Sequence, residues 1–355
     1  MDTIVEGEHS FFAGRELIDE YGWRNFGDVY ADHEAVHHKG PGLFISHYNN
    51  QYDVVLGTLL QGFRSSDPRW LELSRDLARH VVDIDIYHTG DDKAAYNGGL
   101  FWHSDHYLPA GLATHRTYSR LNARGSYGGG PDNEHNYTSG LMLWHFLTGD
   151  ADMAEAVLSL AGFVMAMDDG SRTIFRLFDK GPTGNASKTV SLDYHGPGRG
   201  AGNSINALLD AFWLTRDRSY LSKAEELVQR CVHPEDDIAA LKLDEPEYRW
   251  SYLVFLQVLG KYLSLKDELG ELDHGRSYAR DSLLHYAMWM MEHERPYSEQ
   301  LHKVLLPTET WPAQDIRKAH VLAIAARYMT DPSMASAARE QSVNYWKRCL
   351  GDTLG

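Results

Sequence analysis

Ile205-Asn206-Ala207-Leu208-Leu209-Asp210-Ala211-Phe212-Trp213-Leu214 is followed by Thr215-Arg216-Asp217 and, a few residues on, by Lys223-Ala224-Glu225-Glu226-Leu227-Val228. The first run carries apolar side chains nearly all round a helical wheel, as a helix does when its neighbours enclose it. The second gathers its charges on one face and so keeps a solvent side. The aspartate between them suits an N-cap, whose carboxylate accepts from the free amides of the next first turn. Gly202 to Leu214 and the segment through Cys231 therefore read as a helical hairpin, the buried helix first and the amphipathic helix second.

The same grammar recurs along the chain. Asn50 to Phe63 turns at Ser65-Ser66-Asp67-Pro68 and resumes from Trp70 to Val82. Asn133 to Leu147 turns at Thr148-Gly149-Asp150 and resumes through Met167. Gln314 to Met329 turns at Thr330-Asp331-Pro332 and resumes through Trp346. Tyr248 to Leu265 pairs with Arg276 to His293, and Tyr107 to Leu121 reads as a first helix with no obvious partner. Roughly six buried helices alternating with amphipathic ones describe two concentric rings. The expected fold is an all-α, single-domain (α/α)6 toroid over residues 1–355, with residues 1–45 as an irregular segment packed on it. Short turns join inner to outer helices. The long returns, such as Gly125 to Gly130 and Gly181 to Gly202, gather at one rim, and loops of that length inside a domain usually serve function. Asn185 to Val190, in the second of these, reads as a pair of short strands.

Bulk properties narrow the function. With 43% hydrophobic and 12% aromatic residues, the chain can bury a large core. A net charge of −16 argues against nucleic acid, whose binding needs clustered Lys and Arg. No apolar run approaches the roughly 20 residues of a membrane span. The acidic start, Met1 to Glu6, lacks the pattern of a signal peptide, and Cys231 and Cys349 offer no disulfide framework or zinc spacing. A cytoplasmic location is the expectation for the chain as it stands, and a secreted or periplasmic one if it is part of a longer protein. No pattern sets an oligomeric state.

Six polar and aromatic clusters fall where first helices begin: Ser46 to Asp53, Leu100 to Tyr107, Pro131 to Tyr137, Asp193 to Arg199, Glu247 to Trp250, and Glu309 to Arg317. In a closed ring these starts converge on one mouth, a concave place for a ligand. Helix N-termini there favour an anion such as a uronate carboxylate. Asn, His, Tyr and Arg together suit β-elimination, which needs a neutralised carboxylate, a base for the C5 proton and an acid for the leaving oxygen. His135 and Tyr137 are the expected base and acid, with His106 as an alternative base. Asn50, His103 and Arg199 are placed on the carboxylate. Tyr52, Trp102, Tyr248, Trp250 and Trp311 offer flat faces to sugar rings. His195 and Arg249 lie in the same clusters. Hydrolysis would instead use two carboxyl groups, from Asp53, Glu134, Glu309 or Asp315. A sugar epimerase and a non-catalytic glycan-binding toroid are the remaining readings. The expected partner is an acidic oligo- or polysaccharide.

Other motifs carry less. His33-Glu34-Ala35-Val36-His37 has the form of a zinc-protease helix, but Gly27 and Lys39-Gly40-Pro41-Gly42 bound it and no third-ligand pattern follows. Gly128-Gly129-Gly130 follows no strand and precedes no Lys-Ser/Thr, so it reads as a loop rather than a phosphate cradle. Asn185-Ala186-Ser187 fits a glycosylation acceptor, a pattern common by chance. No metal and no cofactor is assigned.

Gly22-Trp23-Arg24-Asn25-Phe26-Gly27-Asp28, Asn50-Gln51-Tyr52-Asp53, Asp83-Ile84-Asp85-Ile86-Tyr87-His88, Trp102-His103-Ser104 with His106, and Glu134 through Asp150 together resemble the bacterial exo-rhamnogalacturonan lyases and their relatives. The likeness runs through about the first 170 residues and continues only as a shared hairpin layout. It implies an (α/α)6 toroid and β-elimination at an acidic sugar. Such lyases carry β-sandwich domains beside the toroid, for which this chain shows no pattern, and that leaves the substrate open. The catalytic residues named above come from chemistry, not from the resemblance.

Overall fold

In the first hairpin, helix α2 (Val54–Ser65) ends at Ser66, whose φ of 57° is left-handed, and α3 (Pro68–His80) begins at once. The Asp67 carboxylate accepts from the Arg69 amide at 3.0 Å, and Pro68 fills a first-turn position where no amide is needed. The Arg69 side chain, then its amide, hold the Asp67 carboxyl below its ordinary value. The computed structural model describes residues 4–8, 10–18, 29–30, 47–90, 96–101, 103–104, 131, 133–168, 197–305, 307–308 and 310–354. These form an all-α protein whose strands are three two-residue pieces, β1 (Val29–Tyr30), β2 (His47–Tyr48) and β3 (His103–Ser104). They pair antiparallel in that order, Tyr30 opposite His47 and Tyr48 opposite His103.

Four more hairpins follow among the described residues: α4 (Ser139–Thr148) with α5 (Ala151–Asp168), α6 (Arg199–Thr215) with α7 (Arg218–Cys231), α8 (Tyr252–Glu268) with α9 (His274–His293), and α10 (Thr310–Tyr328) with α11 (Pro332–Leu354). Three of these turns use the expected aspartate, and the turn ahead of α9 uses Asp273 in the same way. Asp150, Asp217, Asp273 and Asp331 accept from the amides of Asp152, Ser219, Arg276 and Ser333 at 2.7–3.0 Å. Such a cap is worth about 1 kcal/mol. The Ser219 amide, ahead of its hydroxyl, keeps the Asp217 carboxyl below its usual range. The candidate helix at Tyr107 to Leu121, the Gly125 to Gly130 loop, the strands expected at Asn185 to Val190 and the rest of residues 181–196 lie outside the described residues, while the end of the loop expected from Gly181 to Gly202 is helical, because α6 already begins at Arg199.

Helix boundaries differ from the expectation in instructive ways. The first helix begins at Val54 rather than Asn50, because Asn50, Tyr52 and Asp53 have φ of 44°, 60° and 57° and cannot join a right-handed helix. The helix expected from Asn133 begins at Ser139, after a turn that spends its polar side chains on bonds within the turn and to residues far along the same chain. A separate turn, Pro246–Arg249, precedes α8, so that helix starts at Tyr252 rather than Tyr248. The last first helix begins at Thr310 rather than Gln314, since Pro312 fits within a first turn. The N-terminal segment is not wholly irregular: α1 (Phe11–Ile18) forms there, started by the Ser10 hydroxyl accepting from the Ala13 amide at 3.1 Å.

The chain divides into two compact units, Met1–Ala186 with Asp210–Tyr220, and Ser187–Leu209 with Leu221–Gly355. In the first, Val55, Trp70, Leu73, Leu77, Leu141 and Val157 form the core, and Phe11 and Phe12 of α1 pack against it. Arg15 of α1 pairs with Asp76 of α3 at 3.0 Å. The inner-helix expectation holds for α6 and α8, which are buried nearly all round. It does not hold along α2 and α4, which leave Leu60, Phe63, Phe146 and Leu147 exposed toward their C-terminal ends.

α2 and α4 approach closely at Gly140. A β-carbon there would come within 2.5 Å of the Leu56 nitrogen and 2.6 Å of the Asp53 carboxylate. Gly140→Ala is therefore expected to cost about 1–3 kcal/mol, as overpacking does. A fall in urea midpoint without loss of helical circular dichroism would show it, whereas an unchanged midpoint would mean that the contact relaxes freely.

In the second unit a Cβ on Gly260 of α8 would stand 2.7 Å from Ile324 of α10, so these helices also pack tightly. Beside them lies a fully enclosed ionic network. Lys318 Nζ is 2.8 Å from Glu294 and 3.1 Å from Asp315, and it donates to the Arg295 carbonyl at 2.6 Å. Tyr252 donates to Glu294 at 2.7 Å, and the Tyr297 amide donates to Asp315 at 3.0 Å. Burial pushes the Asp315 carboxyl up to about 6, against the pull of the Lys318 ammonium. In the unfolded chain such a group titrates near ~4. The fold thus favours its protonated form, a contribution complete below about pH 4 and lost as pH climbs through 6. The difference between wild type and Asp315→Asn should shift by roughly 2–3 kcal/mol between pH 4 and 7. Parallel denaturation profiles across that range would refute it.

Candidate functional site

In the first unit the turn ahead of α4 meets the turn ahead of α2. Asn49 ties them through its backbone carbonyl, 2.8 Å from His135 Nδ1, while its side-chain amide donates to the Phe101 carbonyl at 2.5 Å. A carbonyl can only accept, so Nδ1 carries the proton and Nε2 is the ring's proton-accepting atom. The Tyr137 ring lies 6.0 Å from that of His135, centre to centre and tilted by 50°. Both are deep, at 0% exposure for His135 and 7% for Tyr137. Asn133 and Asn136, also buried, share a 2.6 Å bond. Thr138 and Ser139 both donate to the enclosed Asp210 carboxylate, at 2.7 and 2.9 Å.

Several expected ligand contacts are turned to the fold. Asn50 donates its amide to the Tyr137 carbonyl at 2.9 Å, so it braces the catalytic candidate instead of offering that donor outward. Asp53 accepts from the Leu56 amide at 3.1 Å and the Gly140 amide at 3.0 Å, stitching the starts of α2 and α4 together. Tyr52, half-buried, holds a left-handed φ of 60°, a cost usually found where the surroundings impose it. Glu134 is half-buried in the turn ahead of α4. His103 is placed only as a backbone member of β3. Trp102, His106, His195, Glu309 and the His33 to His37 motif lie outside the described residues.

The second unit holds a separate cluster. Arg199, at the start of α6, and Arg317, on α10, both set their guanidiniums over the Trp250 ring, at 5.5 and 6.0 Å. Arg317 donates to Gln314 at 2.6 Å and to the Gln257 carbonyl oxygen at 2.7 Å. Because the guanidinium can only donate, the Gln257 amide nitrogen faces His320 and donates to Nδ1 at 2.8 Å. His320 is thereby held with its proton on Nε2, and burial, then the Arg317 charge, lower its pKa. Lys261, one turn on from Gln257 in α8, donates to Asn206 at 2.6 Å. Arg249 is half-buried beside Trp250 in the chain. Tyr248, at 70% exposure, presents its ring to solvent. Trp311 does not: it is 7% exposed and packs edgewise on Tyr297 at 5.5 Å.

Comparison with protein-family models, with curated proteins and with solved structures found no match. Function has to be read from the side chains themselves. Asp210, Gln257 and His320 were not among the expected site residues, and Asn49 and Arg317 stood in the first and last of the six clusters without a role of their own. Two signals pointed to Asp210, Arg317 and His320. Asn203, Asn206 and Asp210 make a polar stripe on a helix otherwise buried all round, and Gln314, Arg317 and His320 repeat every three residues along one face of α10. Among the described residues no helix is long and apolar enough to cross a membrane.

Proposed function

We propose that this chain is a carbohydrate-active enzyme that cleaves an acidic, uronate-containing glycan by β-elimination, its hairpins arranged as an (α/α)6 toroid. The observation that carries the reading is the His135 to Asn49 hydrogen bond, which makes Nε2 the proton acceptor beside the Tyr137 ring. A base with that tautomer and a neighbouring phenol are the two proton carriers β-elimination requires. The second unit supports the acidic substrate class independently. Two guanidiniums about one indole, with the Tyr248 ring exposed nearby in the chain, suit a carboxylate on a flat sugar.

Hydrolysis draws less support, because Asp53 is a helix cap and Asp315 is enclosed with Lys318. The deciding experiment incubates the chain with a panel of uronate polysaccharides and oligosaccharides, following ultraviolet absorbance and new reducing ends together. Rising absorbance with new ends is the expected result, since elimination leaves an unsaturated uronate. New ends without absorbance would replace elimination with hydrolysis and direct attention to Glu134 and Glu309. Saturable binding with neither signal would leave an epimerase or a glycan-binding protein.

A further inference from the structure

Away from the Trp250 cluster, the second unit contains a cavity of about 530 Å³ between the one-turn helix at Ile238–Leu241, the C-terminal half of α9 and the start of α11. Its size lies in the range of small-ligand sites. One wall is aromatic: the Trp289 and His293 rings stack at 5.2 Å with only 10° between their planes. Three methionines, Met288, Met291 and Met334, supply soft and adaptable apolar surface. Met288 is 54% exposed, unusual for so apolar a side chain and consistent with an open mouth.

The charged groups of the lining are all of one sign. Asp236, Asp237 and Glu292 contribute carboxylates, and no Lys or Arg lines the cavity among the described residues. Asp236 is held in place: its Oδ2 accepts from the Tyr286 hydroxyl and the His233 amide, both at 2.7 Å. No hydrogen bond to its Oδ1 is formed among the described residues. Arg295, a nearby cation in sequence, spends its guanidinium on the Glu292 and Glu294 carbonyls. The two histidines of the lining are engaged, His285 donating Nε2–H to the Asp236 carbonyl at 2.8 Å and His293 stacked on Trp289. An indole and three carboxylates without a lysine or arginine among the described lining attract the same thing, a positive charge on an apolar body.

We infer that this cavity binds a small organic cation, an ammonium group carried on an aromatic or aliphatic frame. Trp289 takes the charge against its ring face, the carboxylates balance it, and the methionines pack the frame. This site is independent of the glycan chemistry proposed above. It also differs from it in sign, since the cluster at Trp250 is cationic.

Calorimetric titration of the full chain at pH 7 tests it, with phenethylammonium and benzyltrimethylammonium as probes, 2-phenylethanol as the neutral isostere and 3-phenylpropionate as the anion. One-site, saturable binding of both cations is expected, at least about tenfold tighter than the neutral compound, with none for the anion. Glu292→Gln should weaken the cations by at least about threefold. Met288→Lys places an ammonium at the mouth from an exposed position, so it should abolish cation binding while leaving the unfolding midpoint unchanged. Equal affinity for the neutral isostere, cation binding retained in Met288→Lys, or no saturable binding of either cation would each overturn the inference.

Discussion

Replacing Lys318 with methionine is expected to lower the unfolding free energy by about 3–5 kcal/mol, the usual consequence of stranding a buried ionic partner. The ammonium is the centre of its network: Glu294 and Asp315 face it at 2.8 and 3.1 Å, and it lies 3.4 Å from the centre of the Tyr297 ring. All three ionic side chains are almost fully enclosed, at 0%, 4% and 0% exposure for Lys318, Glu294 and Asp315. Without Lys318, two carboxylates share a dry site, and at least one must take up a proton. The loss should therefore be larger at pH 8 than at pH 5. Adding Glu294→Gln and Asp315→Asn to Lys318→Met removes the stranded charges, so much of the stability should return. Urea denaturation of the single and triple variants decides it. A single variant within 1 kcal/mol of wild type would mean that water reaches the network.

Turnover is the second large effect. On whichever uronate substrate gives an absorbance signal, His135→Gln and Tyr137→Phe should each reduce kcat by about 10²–10⁴-fold, the range for losing a general base or acid. The burial of both residues makes stability the necessary control. Tyr137→Phe deletes one buried hydroxyl and keeps the ring, a change of about 1 kcal/mol, so a small shift in Tm is expected beside a large fall in rate. A large fall in Tm with unchanged kcat would make both residues packing elements. Wild-type kcat in both variants would end the assignment and leave Glu134, in the turn ahead of α4, as the group to test.

Much of the helical layout was legible in the chain. The aspartate turns at Asp67, Asp150, Asp217 and Asp331 each cap the helix that follows them. A cap and the apolar period it precedes lie within a turn or two of each other, so local sequence contains both partners. Helix starts were less legible. Asn50, Tyr52 and Asp53 read as the first turn of a helix, yet their backbone is left-handed, and Asn50 and Asp53 bond instead to Tyr137 and Gly140 at the start of α4. The buried polar residues were the least legible. Nothing near Asn50 in the chain announces that its amide is needed by Tyr137, 87 residues away.

The sequence by itself determined an alternation of enclosed and amphipathic helices, the turns that join them, and the gathering of His, Tyr, Asn, Arg and Trp where first helices begin. These follow from interactions between residues a few positions apart, which periodicity and capping express directly. Tertiary structure alone decided which of those polar groups are consumed within the fold and which are oriented for chemistry. It turned Asp53 and Trp311 inward, gave His135 its tautomer through Asn49, and linked Arg317 to His320 through Gln257. Each of those outcomes depends on a hydrogen-bond or packing partner tens of residues distant or on another helix. A side chain's protonation and orientation are set by that partner, not by its neighbours in the chain.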